Sequence, residues 1–551
     1  MGNVLFWIVF LAFILLVVIN GIKRQKSQKE ELLKKLINSY GNNMFVGIFP
    51  TRGDYKGYYL KKLSEKNNDI FFIDDITSND LNLDLIFNNI NGSLTSLGEE
   101  YLYYLLHSIK FNDEEIRDFR TLQKRINSDE NLRIKLMEGL SFLGKLNKVS
   151  AYGVVNSLFD SKPSKLLKDV ILDIIFVLSF VLIFISPGLG VLTLLLVLII
   201  SISSYFKGRA KMDENLKAFC YLQRLIKCGL ILREYLDEYN IDELSSLLKF
   251  SFLLPKKEGT SSDPISIILD YFRMIFHIDV ILYNIRLNSI IDKKQIILNL
   301  YEEIAKLDAA LSMASFCLYQ PFICEPVFNQ EGNSFEADKI YHPLVANPVF
   351  NDIKEKKGAL ITGSNASGKS TFLKMVGISI LFSQSFGFAF AEKISLNHFK
   401  LYTSMALSDN ILGKESYYIV ESKSLKRICD ESLVSSNIFC IVDEVLRGTN
   451  TSERIAASCQ ILKYLKKNGV LVFTATHDTE LTELLKDDYN LYYFTEDIRD
   501  KDVIFTYKIQ EGVVNKTNAI RLLDSLGYDK EIIQEANNLV EIHKQTGKWG
   551  R

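Results

Sequence analysis

The chain has 551 residues, with 65 Lys and Arg against 66 Asp and Glu, 48% hydrophobic and 24% charged residues. That length allows two to four domains, and the balance of charge excludes a disordered chain and a globally basic, charge-driven nucleic-acid binder. Seven scattered cysteines without a C-x-x-C pair and six histidines without H-x-x-x-H spacing exclude a disulfide framework, a zinc knuckle and a His-rich metal site.

The first predicted element is a charge-free apolar run, residues 4–19, VLFWIVFLAFILLVVI. At about 1.5 Å per residue it nearly crosses a bilayer. No basic residue precedes it and no small-residue cleavage site follows, so 1–21 reads as a transmembrane anchor rather than a cleaved signal. Residues 22–168 follow as a cytoplasmic N-terminal segment and the first part of a helical core, with apolar spacings of three and four in EEYLYYLLHSI and ENLRIKLMEGLSFLGKL.

From Asp169 to Phe206 there is no Lys or Arg. The apolar stretches Val170–Ser186 and Leu189–Tyr205 are divided at Pro187-Gly188, a helix-breaking pair, so 169–206 reads as a transmembrane helical hairpin. Asp173, near one end, suits the headgroup level or a partner helix. Basic residues flank every apolar segment: Lys23, Arg24 and Lys26; Lys162, Lys165 and Lys168; Lys207, Arg209 and Lys211. The positive-inside rule then predicts a multi-pass cell-membrane protein with three spans, its N-terminus outside and everything else cytoplasmic. The same clusters suit anionic lipid.

Residues 207–330 read as the second part of the helical core, interrupted by a loop at 255–264. In 331–551 the pattern changes: GALITG, NIFCIVDE and GVLVFTATH alternate with helical segments, which predicts a parallel sheet with crossover helices.

The strongest motif lies there. Gly363-Ser364-Asn365-Ala366-Ser367-Gly368-Lys369-Ser370, followed by Thr371, stands between a strand-like and a helix-like segment, the context that a phosphate-binding loop requires. Its glycines let backbone N–H groups face phosphates, Lys369 is placed for the β- and γ-phosphates, and the Ser370 hydroxyl for Mg²⁺. About seventy residues on, Ile438–Val442 end in Asp443-Glu444: an acid for Mg²⁺ and an acid to take a proton from an attacking water. A further strand ends at Thr476-His477, a candidate γ-phosphate sensor. Catalytic roles thus fall to Glu444, His477 and Lys369, with ATP and Mg²⁺ as ligands.

ITGSNASGKST, ESYYIVES, IVDEVLRGTNTSER and FTATHDTEL occur in the order and spacing of the MutS mismatch-repair ATPases, which residues 340–540 resemble. Asn365 stands where that family has Asn. Ser416 to Glu421 match its ABC-type signature, in which the serine contacts the nucleotide of the opposite subunit, so the resemblance implies a composite site in a homodimer formed through the ATPase domain. Tyr341-His342-Pro343-Leu344 resembles the family's R-H-P element. Ser364, Ala366, Ser367 and Leu446 depart from the usual Pro, Met, Gly and Gly. The segment LLDSLGYDKEIIQEANNLVEIHK resembles the dimerising C-terminus. More weakly, FNNINGSLTSLGEEYLYYLLHSI and EEIAKLDAALSMASF resemble the first and last helices of the MutS core. The implied fold is an α/β P-loop ATPase domain of ABC/MutS type, preceded by an all-α core that the hairpin interrupts.

A repair MutS reads mismatches with a Phe-x-Glu wedge. No such triplet lies between residues 21 and 330; Phe390-Ala391-Glu392 and Phe494-Thr495-Glu496 fall inside the ATPase segment. The first reading is therefore a membrane-anchored MutS-like ATPase with DNA, mismatched or branched, as the ligand implied by the family. The second is an ABC-like membrane ATPase acting on a protein or lipid partner without DNA. A third, a nucleotide-binding scaffold without turnover, is at odds with an intact Glu444.

Overall fold

The computed structural model describes residues 2–549 except 43–44, 47, 49–52, 66, 68, 164–165, 237–240, 255–263, 365–366, 406–416, 447–449, 500–501, 514–519, 521–522, 525–526 and 548. The chain divides into two compact units. One comprises Met1–Lys66, Ile90–Tyr104 and Leu122–Tyr319; the other comprises Asn67–Asn89, Leu105–Thr121 and Gln320–Arg551.

The first unit is helical. Its inner element is the helix Lys294–Tyr319, in which every residue from Leu307 to Cys317 is buried. A helix buried on all sides must satisfy each polar group it carries. Asp308 does so by accepting the N–H groups of Leu94 (2.9 Å) and Thr95 (2.8 Å) and the Thr95 hydroxyl (2.6 Å). One turn on, Ser312 accepts the Gly92 N–H and donates to the Ile90 carbonyl. The turn at 90–95 is thus fastened to the helix by side chains that replace backbone partners. Glu100 does similar work for the helix Ala151–Ser157, accepting from the N–H groups of Ala151 and Tyr152 and from the Tyr301 hydroxyl.

Two antiparallel helices, Leu167–Ile185 and Pro187–Ile231, meet at Ser186, with Pro187 at the first helical position, where its missing N–H costs nothing. Pro187–Arg209 has a mean hydropathy of 2.4 and is the one described helix long and apolar enough to cross a membrane; Leu269–Phe276 with Ile278–Asp292, bent by 68°, would be a second if counted as one broken span. Leu167–Ile185 forms as expected but carries Lys168, Asp169 and Asp173, too much charge to qualify by composition. Asp173 turns toward a helix rather than toward solvent, meeting His277 Nδ1 at 2.9 Å at the bend. The apolar run 4–19 lies in the helix Gly2–Ser39.

The second unit carries the sheets. Strands β1 (Ile70–Phe72) and β2 (Ser108–Lys110) form an antiparallel pair; the sequence periodicity reads the latter as helix, but the helix Ser96–Leu106 has already ended there. Strands β3 (Val327–Phe328), β4 (Phe335–Ile340), β5 (Asn351–Glu355) and β7 (Lys393–Leu396) form a mixed sheet in the order β3-β7-β4-β5. The main sheet runs β12-β11-β6-β10-β9-β8, from β6 (Ala359–Thr362), β8 (Lys400–Ser404), β9 (Ile438–Asp443), β10 (Leu471–Ala475), β11 (Asn490–Arg499) and β12 (Asp502–Glu511). All its pairings are parallel except β11 with β12. Strands β6, β9 and β10 are buried throughout, the pattern of parallel strands covered on both faces.

The units do not follow chain order. The sequence reading opens the nucleotide domain at 331, whereas segments 67–89 and 105–121 pack into it. The cause is a set of long-range polar contacts. Asp80 accepts from the Thr403 hydroxyl (2.6 Å) and the Met405 N–H (2.9 Å), and Arg427 donates to Asp74 at 2.6 Å.

Candidate functional site

The site forms at the C-terminal tips of three adjacent parallel strands, where an open α/β sheet binds its ligands. Strand β6 leads into the loop that the sequence reading assigns to phosphate. Gly363 (φ +146°) opens it and Gly368 (φ +104°) closes it, both in backbone conformations that side chains disfavour. A Cβ on Gly363 would also stand 2.8 Å from the Phe494 carbonyl oxygen. Gly368 is the N-cap of the helix Lys369–Phe386, and no side chain caps that end. The first-turn N–H groups therefore keep their capacity for an anion, reinforced by the helix dipole. Ser367 Oγ is buried in the loop with no hydrogen-bond partner among the described residues.

Lys369 is almost wholly buried, and its ammonium donates to the Gly363 and Ser364 carbonyls, both at 2.8 Å. Ser370 donates to Asp443 Oδ2 at 2.6 Å. A hydroxyl and a carboxylate brought together at a loop of this kind fit Mg²⁺, a hard cation that takes oxygen ligands.

Asp443 ends β9. The next residue, Glu444, has φ +59°, and Leu446 has φ +60°. Two non-glycine residues in the left-handed region mark a turn held by its surroundings rather than by its own preference. Glu421 Oε1 accepts the Leu446 N–H at 2.6 Å, and the Glu444 N–H donates to the Ala475 carbonyl of β10 at 2.9 Å. Glu444 Oε1 lies 3.0 Å from His477 Nε2, just past β10. The same nitrogen is 3.4 Å from Lys369 Nζ. Nε2 can donate to Glu444 or accept from Lys369 but not both, so the imidazole tautomer links the base candidate to the phosphate lysine.

The structure thus unites Lys369, Ser370, Asp443, Glu444 and His477, with Gly363, Ser364, Ser367 and Gly368 forming the loop around them. Thr371 is exposed, one residue further along the helix. Asn365, Ala366 and Ser416 lie outside the described residues. His342 is half-buried near the Lys374 ammonium, and burial first, then that charge, pushes its pKa down to about 4; its ring accepts the Leu344 N–H and serves the backbone of its own motif. Burial also pulls Lys374 below the ordinary lysine range, against the pull of Asp80 and Asp443.

Sequence reasoning missed three contributors. Glu496 accepts the Ser364 hydroxyl at 2.6 Å, and Arg454 pairs with Asp478 through two hydrogen bonds, at 3.0 and 2.5 Å. The signal for Glu496 was in view, since it ends the triplet Phe494-Thr495-Glu496. Phe494 is buried edge-to-face against Phe372, so this triplet is spent on the phosphate-binding loop.

Residues 359–543 match the family of MutS domain V. The chain is 33% identical over 271 residues to a DNA mismatch repair protein MutS of Thermotoga maritima, covering 47% of this chain and 34% of that protein. It is 34% identical over 194 residues to the protein of the same name from Finegoldia magna, covering 34% and 22%. With the protein of that name from Clostridium perfringens it shares 29% identity over 257 residues, covering 43% and 28%. The chain therefore spans about a third or less of the length of these relatives. Over residues 359–543 the chain is similar to MutS domain V.

Proposed function

We propose that this chain is a membrane-anchored, Mg²⁺-dependent ATPase of MutS type that works as a dimer and couples its cycle to DNA. The observation that carries the reading is the convergence of Lys369, Ser370, Asp443, Glu444 and His477 on the tips of β6, β9 and β10. Lys369 binds the phosphates once they displace its ammonium from the loop carbonyls. Ser370 and Asp443 would hold Mg²⁺, which would neutralise phosphate charge. Glu444 takes the proton of the attacking water, and His477, at hydrogen-bond distance, fixes the carboxylate's orientation. The dimeric composite site rests on the resemblance of 416–421 to the signature element, and the coupling to DNA on the names of the relatives.

The membrane part rests on Pro187–Arg209 and the helix paired with it. Ile174, Val177, Leu178 and Val181 on one, and Leu192, Leu195, Leu196 and Ile199 on the other, leave their side chains exposed. A continuous apolar surface of this kind needs cover, and lipid supplies it. With the run at 4–19 it forms three spans, the ATPase domain facing the cytoplasm. The exposed hairpin also supports a second reading, in which the ATP cycle serves a membrane protein or lipid partner without DNA.

Steady-state ATPase of the detergent-purified chain, without DNA and with homoduplex, mismatched and branched DNA at two salt concentrations, separates the readings. Stimulation that weakens with salt supports the DNA reading. Turnover indifferent to every DNA supports the membrane partner. Glu444→Ala should reduce turnover about 100-fold or more while ATP still binds. Unchanged turnover in that variant removes the assignment.

A further inference from the structure

We propose that Arg454 and Ser458, one turn apart on the helix Thr451–Lys467, are positioning residues that bracket the two strand tips carrying Glu444 and His477. The inference rests on the ATPase reading above and names what holds its acid–base pair in register.

Glu444 and His477 follow neighbouring strands, β9 and β10, whose last paired residues are Asp443 and Ala475. Beyond that pair the β9–β10 pairing ends, and a backbone bond, Glu444 N–H to the Ala475 carbonyl, links the tips. The turn after β9 is the less settled of the two, since Glu444 and Leu446 both hold positive φ. Such a conformation persists only where other contacts over-determine it.

The helix Thr451–Lys467 supplies contacts to both tips. Asn450 caps it by accepting the Ser452 N–H, which fixes where the helix begins and so where its first turns point. Ser458, fully buried, donates to the Val445 carbonyl at 3.2 Å, gripping the turn between its two strained residues. Arg454, four residues earlier and therefore on the same face, reaches the other tip. Its Nε and NH2 groups meet the two oxygens of Asp478 at 3.0 and 2.5 Å. Asp478 directly follows His477, and its N–H is in turn held by the Thr476 hydroxyl at 3.0 Å. The Asp478 side chain is 14% exposed and that of Arg454 23%, so water competes little with a paired fork. One rigid helix therefore sets the spacing between the base candidate and the imidazole that orients it, and the 3.0 Å contact between them is the distance this bracket fixes.

The test compares full-length wild type with Arg454→Met, Asp478→Asn, Ser458→Ala and the charge-swapped Arg454→Asp/Asp478→Arg. For each, kcat and its pH profile, the Kd for a fluorescent ATP analogue and the melting temperature are measured. Arg454→Met and Asp478→Asn should lower kcat about 10- to 100-fold, the scale on which misplacing a reacting group acts. Ser458→Ala should lower it about 3-fold, in line with one lost neutral hydrogen bond. Analogue Kd should stay within about 3-fold and the melting temperature near wild type, because Lys369 and the loop are untouched. The pH at half-maximal kcat should move in Arg454→Met, since His477 is then free to leave Glu444. The charge swap should recover about 5-fold over either single variant, as a re-formed pair would.

Unchanged kcat in both Arg454→Met and Asp478→Asn overturns the bracket. So does a kcat loss matched by equal losses of nucleotide affinity and melting temperature, which would mark a structural pair. If wild type itself shows no turnover that Glu444→Ala abolishes, the underlying ATPase reading fails and the bracket falls with it.

Discussion

Asp308 in the helical unit and Asp443 in the sheet unit are both nearly inaccessible to solvent, 0% and 5% exposed, and they do opposite work. Asp308 accepts two backbone N–H groups and a hydroxyl, all from the turn at 94–95. A carboxylate saturated by its own chain's backbone cannot be given up to a ligand without dismantling the turn. Asp443 stands at a strand tip, and the partner that it holds at 2.6 Å is the exposed Ser370 hydroxyl. That bond can be exchanged for a cation without moving the backbone. Burial alone therefore does not separate scaffold from chemistry; the partners do.

The largest way to break this comparison is Asp308→Ala. It leaves two buried N–H groups and a hydroxyl without an acceptor, each costing about 1–3 kcal/mol, so the loss should be about 3–9 kcal/mol. Against a total stability of about 5–15 kcal/mol, the helical unit should unfold early in a denaturant titration or express poorly. Asp443→Ala should change the unfolding free energy by about 1 kcal/mol or less, since Ser370 can turn to water, yet lose Mg²⁺-dependent turnover. If Asp443→Ala unfolds the protein and Asp308→Ala does not, the distinction between the two aspartates collapses.

The two units were also unequally legible in the sequence. The glycine-bounded loop after β6, the acids after β9 and the histidine after β10 could be placed because each is local: a few residues on one strand tip, with spacing fixed by the strand and the helix that follow. The same holds for the break at Ser186-Pro187. Illegible were the contacts made by residues far apart in the chain. Nothing near Asp80 announces Thr403 and Met405, so the capture of segments 67–89 and 105–121 by the sheet unit had no sequence signal. Arg454 and Asp478 lie 24 residues apart, and an isolated Arg and Asp at that distance match by chance everywhere. In the helical unit, EEIAKLDAALSMASF resembles a core helix, but nothing in that resemblance says that Asp308 holds the turn at 94–95. Asp173 stands out in the sequence as the one charge within Val170–Ser186, with a partner helix as one of its two readings; that the partner is His277 has no local signal.

A smaller effect sharpens the comparison through pH. Burial pushes the Glu100 carboxyl up to about 7, against the donors around it, and Asp308 to about 6. The folded helical unit then holds protons that the unfolded chain has already released. Below the unfolded values the proton-linked contribution is fully present, and it is lost as pH rises through about 6 to 7. The melting temperature of the helical unit should fall between pH 5 and pH 8. Glu100→Gln, which carries the proton's hydrogen-bonding capacity at every pH, should flatten that slope, by about 3 kcal/mol at most. A slope identical in the wild type and Glu100→Gln would show that the carboxyl is ionised in the fold at all these pH values.

The smallest effect concerns Phe494-Thr495-Glu496, which in sequence has the form of a mismatch-reading wedge. In the structure Phe494 is buried, its ring 5.7 Å from that of Phe372 on the first turn of the phosphate-loop helix. Its carbonyl closes the space beside Gly363, and Glu496 accepts the Ser364 hydroxyl at 2.6 Å. The triplet therefore shapes the entrance of the loop, and a substitution should be felt by nucleotide before DNA. Glu496→Gln keeps an acceptor but removes the charge, weakening a charge-assisted bond by about 1 kcal/mol. KM for ATP should rise about 2- to 5-fold with kcat nearly unchanged, since Glu496 touches neither Glu444 nor His477. A variant that instead kept its KM and lost preference between mismatched and homoduplex DNA would return this triplet to the role that its sequence form suggests.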